Sequence, residues 1–258
     1  GWEGGKPRRP AVSLAVVDEA AESRYLFEAT PDFPRQYFEL EKLAPSDAYS
    51  LSGIFLTHAH IGHYAGLMFL GHEAMGASEV PVYAMPRMQA YLETNGPWSQ
   101  LVDFRNIVLR PLRHEASVAL GALTVTPLQV PHRDEFSETV GYLIEGSEKT
   151  ALFIPDIDKW ELWDRDLEAM VRSVDYAFLD ASFYADGELP GRDMSKIPHP
   201  FITETMARLE HLPEAERAKV WFIHMNHTNP TLWDDTPESR AVREAGFNLA
   251  REGLSFGL

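Results

Sequence analysis

The stretch Thr57 to His63, reading THAHIGH, directly follows the short apolar run Gly53-Ile-Phe-Leu56 and constrains this chain more than any other segment. Isoleucine, phenylalanine and leucine in a short run predict a buried strand, which enters a loop and then the apolar-periodic segment Tyr64 to Leu70. Alternate residues of an extended chain project to the same side, so His58 and His60 can aim their imidazoles at one point. His63 falls about where a helix would begin and can face that point from another angle. Three neutral imidazoles converging at a strand end suit a borderline transition metal such as zinc, iron or manganese. Read without that convergence, they are ordinary polar loop residues.

Other apolar runs end on the same kind of residue. Leu123 to Val130 leads into Pro131 and His132, Ala151 to Ile154 ends at Pro155 and Asp156, and Val220 to Ile223 leads into His224 and His227. Loops at the ends of sheet strands are where function sits on an α/β scaffold. Alone, His132 is a loop histidine and Asp156 a turn or helix cap, with Asp158 able to share the roles. Asp180, closing Tyr176 to Leu179, reads as an acceptor holding a ligand imidazole or as a plain cap. His199, in Ile197-Pro-His-Pro200, is either a surface histidine in a turn or a general acid, since an imidazole can hold a proton near neutral pH.

The chain has no cysteine, so disulfides and thiolates are impossible and any metal must be held by imidazole and carboxylate. With 258 residues, 45% of them hydrophobic and 24% charged, there is ample core. No apolar run approaches the roughly 20 residues a spanning helix needs. The 23 basic and 39 acidic side chains give −16, which argues against a general nucleic-acid surface but leaves room for a local basic pocket. The expected partners are a small-molecule substrate and, at most, a second copy of the chain, in cytoplasm or periplasm alike. Gly1-Trp-Glu-Gly-Gly does not read as a natural start, which suggests a removed leader or tag.

Among the remaining elements, Ala11 to Val17 with Tyr25 to Glu28, and Thr139 to Ile144 with Ala151 to Ile154, are expected to form hairpins. Helices are expected over Arg35 to Leu43, Pro86 to Glu93, Trp160 to Arg172 and Phe201 to Leu212, with a last one from a Thr236-Pro237 cap to about Glu252. Phe153, Phe178, Trp221 and Phe222 read as core, as do Met68, Met75, Met85 and Met88. Arg133-Asp134-Glu135 reads as a solvated run beside His132.

THAHIGHYAGL resembles the HxHxDH metal-binding signature of the metallo-β-lactamase fold superfamily. The resemblance implies an α/β fold, a four-layer αββα sandwich of the metallo-β-lactamase type, as one domain over residues 1–258. It also implies that His58, His60 and His132 hold a first metal, that Asp156 bridges to a second, and that His63 and His224 complete the second position. VPHRDEFSETVGYLIEG and ALFIPDID carry the match onward. One residue departs: Gly62 stands where the family has an aspartate, so the second site is absent, weaker or completed by another residue. His227 is the candidate substitute, or else a substrate contact. SLAVVDEAAESRYLFEATPDFPRQ resembles the opening of a branch comprising relatives of pyrroloquinoline quinone biosynthesis protein B. That branch begins with a further strand and a glycine-rich loop that do not stand ahead of Pro10, so the first strand is missing or that edge is built differently.

The expected chemistry is metal-assisted hydrolysis of an ester-type bond, phosphodiester or lactone, with one or two zinc ions, or iron or manganese. A metal with an open position lowers the pKa of its water from about 15.7 to about 7, giving hydroxide at neutral pH. Asp156 would orient that hydroxide, and His199, like a histidine of superfamily phosphodiesterases, would protonate the leaving group. Two rivals remain: an iron-dependent oxidation of the quinone-cofactor biosynthesis type, and a metal-binding protein without turnover.

Overall fold

Period-two burial in the strands decides the layering. In the computed structural model, which describes residues 8–258, Leu26 and Ile54 face one core while their neighbours Tyr25, Phe27 and Phe55 face another. Leu152, Ile154, Ala177 and Leu179 likewise turn away from Phe153 and Phe178. Each sheet therefore has two apolar faces: the inner faces meet in an aromatic-rich core, and the outer faces must be covered by helices.

The first sheet has the order β1 (Leu14–Asp18), β2 (Ser23–Phe27), β3 (Ser50–Phe55), β4 (Val80–Ala84), β5 (Ile107–Pro111). The second holds β6 (Val118–Leu120), β7 (Leu123–Gln129), β8 (Val140–Glu145), β9 (Thr150–Ile154), β10 (Tyr176–Asp180), β11 (Val220–Ile223) and β12 (Asn248–Leu249), laid out as β12-β11-β10-β9-β8-β7-β6. Helices α1 (Phe33–Leu43), α2 (Ile61–Tyr64), α3 (Pro86–Thr94) and α4 (Trp98–Asp103) cover the first sheet. Helices α5 (Leu167–Ser173), α6 (Ile202–Leu209) and α8 (Pro237–Glu244) cover the second, with the short α7 (Glu214–Arg217) at the surface. This is the four-layer αββα arrangement of the metallo-β-lactamase type.

Strands β2 to β5 run parallel, as do β9 to β12, so their carboxyl ends gather on one edge of each sheet. That edge receives the His-rich loop after β3 and the residues that follow β9, β10 and β11. Among the described residues the hairpin of β1 and β2 forms the outer edge of the first sheet. The segment Gly1-Trp-Glu-Gly-Gly lies outside the described residues.

Several expectations need correction. Trp160 to Arg172 is not one helix: Trp160–Leu162 is a single 3-10 turn that buries Trp160, and Asp166 accepts from the Glu168 and Ala169 amides to start α5 afresh at Leu167. The last helix stops at Glu244, because Gly246 takes a left-handed φ of +85° and the chain then pairs Asn248 and Leu249 with β11. Met85 and Met88 are core, but Met68 and Met75 stand at the surface, each 46% exposed. Gly66 has a packing reason: a Cβ there would lie 2.2 Å from the Thr30 carbonyl oxygen. Its amide donates to the Ala29 carbonyl, clamping the turn after His63 onto the loop that follows β2.

Candidate metal centre

The chain leaves β3 through a bend at Ala59 and His60, His60 keeps extended dihedrals (φ −93°, ψ 138°), and α2 begins at Ile61. His58 and His60 therefore meet, with His58 Nε2 2.8 Å from His60 Nδ1. From the second sheet β7 delivers His132, and β9 delivers Asp156, whose Oδ2 is 3.2 Å from His58 Nε2 and 4.0 Å from His132 Nε2. Donors at 2.0–2.1 Å around a tetrahedral zinc stand about 3.3 Å apart, and the separations here bracket that value. Both ring nitrogens of His132 are buried without a hydrogen-bond partner, as is Asp156 Oδ1. Buried polar atoms are nearly always paired, so orphaned lone pairs converging on one point fit a cation. The donor atoms of His58, His60, His132 and Asp156 all lie within 4.8 Å of one another, as do those of His63, Asp156 and His224.

Asp156 divides the cluster. Its Oδ2 is 2.9 Å from His63 Nε2 as well as facing His58, whereas Oδ1 is 3.2 Å from His224 Nδ1 and 3.3 Å from His199 Nδ1. Burial pushes the Asp156 carboxyl up, but His224 and His63 outweigh it and hold it well below the usual carboxylate range. Burial lowers His132 to about 4 and, with the charge on His63, depresses His58, keeping both rings neutral and able to ligate. His63 goes the other way in the metal-free protein: burial lowers it, yet Glu28 and Asp156 win and raise it to about 10, and a cation at Nε2 would take the place of that proton.

Glu28 escaped the sequence reading as a site residue. It is fully buried, neither carboxylate oxygen has a hydrogen-bond partner, and Oε1 stands 3.5 Å from His63 Nδ1. Its φ is +82°, and His224 has +59°, so two residues at this edge are held in the left-handed region that L side chains avoid. The signal was present: YLFE puts an ionisable group straight after an apolar strand, as FLD does at Asp180.

Asp180 combines both expected roles, capping a turn and facing an imidazole, though the ring is His199 and not one of the expected ligands. It accepts from the Ser182 amide and hydroxyl and from the Ile157 amide, and its Oδ2 is 2.7 Å from His199 Nδ1. Burial lowers His199, but Asp180 outweighs that and raises it; Asp180 itself is held at about 2, the charge on His199 overcoming burial. Ser182 Oγ also lies 3.0 Å from His224 Nδ1. His227 is exposed, its Nδ1 is 3.0 Å from Asn226 Oδ1, and it belongs to none of the donor groups, but it lines the same cavity as His63, His199 and His224. Gly62 has no heavy atom within 4 Å of where a Cβ would be. A cavity of about 1220 Å³ reaches Gly62, His63, His199 and His224 and continues along β1.

Residues 23–225 match the family described as "Beta-lactamase superfamily domain", so with this fold the chain belongs to the metallo-β-lactamase superfamily. Within it the chain is similar to coenzyme PQQ synthesis protein B. It is 25% identical to that protein of Xanthomonas campestris pv. campestris (strain B100) over 98% of this chain and 89% of the relative. The figures are 26%, 100% and 91% for that of Methylobacterium sp. (strain 4-46). Among solved structures, Zn(2+)-bound PqqB from Methylobacterium extorquens superposes with a TM-score of 0.78 at 22% identity, covering 95% of this chain and 87% of that one. A diphosphatase from the PhnP family gives 0.62 at 23%, covering 92% and 81%. No helix among the described residues is long and apolar enough to cross a membrane.

Proposed function

We propose that the protein is a metal-dependent hydrolase acting on an ester-type bond of a small molecule, a phosphodiester or a lactone. The observation that carries this reading is the His199–Asp180 pair standing 3.3 Å from the free edge of Asp156, beside a His/Asp donor cluster. His58, His60, His132 and Asp156 would hold one cation, and His63, Asp156 and His224 a second; the zinc of the PqqB neighbour supports zinc as the metal. When bound, it supplies Lewis-acid polarisation and acidified water at neutral pH. Asp156 Oδ1, buried and without a hydrogen-bond partner, is an acceptor able to orient a water. His199 gives Nδ1 to Asp180, which leaves Nε2 to carry a proton to the departing oxygen. An oxidation has less use for such a donor, which places hydrolysis first.

Zinc- or manganese-loaded protein is expected to turn over a generic aryl phosphodiester or a γ-lactone, and Asp156→Asn to lower kcat by about 100-fold or more. His199→Ala should lower it far more for an alkyl leaving group than for a nitrophenolate, which departs without a proton. The likeness to coenzyme PQQ synthesis protein B supports the second reading, iron-dependent oxidation of a quinone-cofactor precursor. Oxygen uptake by iron-loaded protein with such a precursor, and no turnover of either ester, would reverse the order. A binding protein without turnover, suggested by Gly62, is the reading left if both assays are blank.

A further inference from the structure

We infer that Glu135 is a positioning residue that orients His60 for metal binding. The inference rests on the cluster being a metal centre. His60 Nδ1 faces the cluster, 2.8 Å from His58 Nε2, while His60 Nε2 points outward to Glu135 Oε2 at 3.0 Å. A carboxylate only accepts, so His60 Nε2 must carry the hydrogen, and Nδ1 then presents its lone pair inward. The partner of one ring nitrogen thus decides which nitrogen is free to ligate.

Glu135 is fit for this because its loop is fixed independently of His60. The Ala59 amide donates to Ser137 Oγ at 2.8 Å, the Thr139 hydroxyl donates to Asp134 Oδ1 at 2.9 Å, and Arg87 Nη2 donates to the Asp134 carbonyl at 2.9 Å. Three residues before Glu135 the same loop delivers His132. One loop of the second sheet therefore supplies a donor of its own and sets the direction of a donor that belongs to the first sheet. Where the Glu28 and Asp180 carboxylates are fully buried, the Glu135 side chain is 48% exposed, at the lip of the site. The Glu135 carboxylate accordingly acts on His60 through direction more than through field.

The experiment is a zinc competition against a chromophoric chelator, with Co2+ visible spectra, on wild type, Glu135→Gln and Glu135→Ala, each checked for folding by circular dichroism. Glu135→Ala is expected to weaken the first zinc 10- to 100-fold and to shift the Co2+ bands, since a freely turning His60 changes the donor field. Glu135→Gln, whose amide oxygen still accepts from Nε2, should fall between that variant and wild type. A folded Glu135→Ala with wild-type zinc affinity and an unchanged Co2+ spectrum overturns the inference. Wild type that takes up no zinc overturns the metal reading beneath it, a different result.

Discussion

Gly62 is the residue where this chain departs from its superfamily, and the local geometry says what the departure means. Nothing lies within 4 Å of a Cβ there, so the space a carboxylate would use is open to the cavity. Gly62→Asp is expected to unfold within about 0.5 kcal/mol of wild type, as surface changes do, and to retain a second zinc equivalent more tightly on dialysis with elemental analysis. A loss of stability well beyond that would mean the space is not free. His132 supports a prediction in pH. Its folded value of about 4 lies below the unfolded value of about 6.5, so the unfolded chain takes the proton first. Metal-free protein should lose roughly 3 kcal/mol through this residue as pH falls from about 6.5 to about 4, and nothing through it above that window. Thermal unfolding of chelator-treated His132→Gln should show a shallower acid limb. His63 acts in the opposite sense, its stabilisation fading as pH rises from about 6.5 to about 10.

At the scale of elements, one buried arginine joins β2 to α1. The Arg24 side chain, 1% exposed, donates to the Ala44 carbonyl and the Tyr37 hydroxyl at 2.6 Å and pairs with Glu41 at the same distance. Methionine in its place would leave the carbonyl and the carboxylate without their donor, a loss of about 3 kcal/mol, since Glu41 keeps some solvent and the penalty falls at the low end for broken buried pairs. Urea unfolding of Arg24→Met measures it. A midpoint matching wild type would mean the pair contributes no net stability. Most strands were legible because apolar runs and turn residues act locally, whereas β12 fell inside the expected last helix. Helix lengths were less so: α5 starts at Asp166 because that side chain caps it, and nothing in the apolar period from Trp160 announces the break.

For the molecule, the candidate centre lies between the sheets. His58, His60 and His63 follow the first sheet, and His132, Asp156 and His224 follow the second, so a cation held between them ties the two halves together. Zinc at 100 times its dissociation constant should stabilise by about 2.7 kcal/mol, a rise of about 5–10 °C in Tm for a chain this long. Chelator should reverse it. A shift below about 1 °C would mean the ion binds folded and unfolded chains alike.

The amino-acid order alone determined most of the strands, the ionisable residues at their ends and the restriction to imidazole and carboxylate donors, because alternation and donor chemistry are properties of short segments. Only the tertiary structure decided that Glu28 and Asp180 stand behind His63 and His199, that Glu135 holds His60, and that His227 stays outside the donor groups. Those pairings join residues from 19 to 75 positions apart. Which side chains meet across such a separation depends on strand order and on how two sheets stack, and no local pattern encodes either.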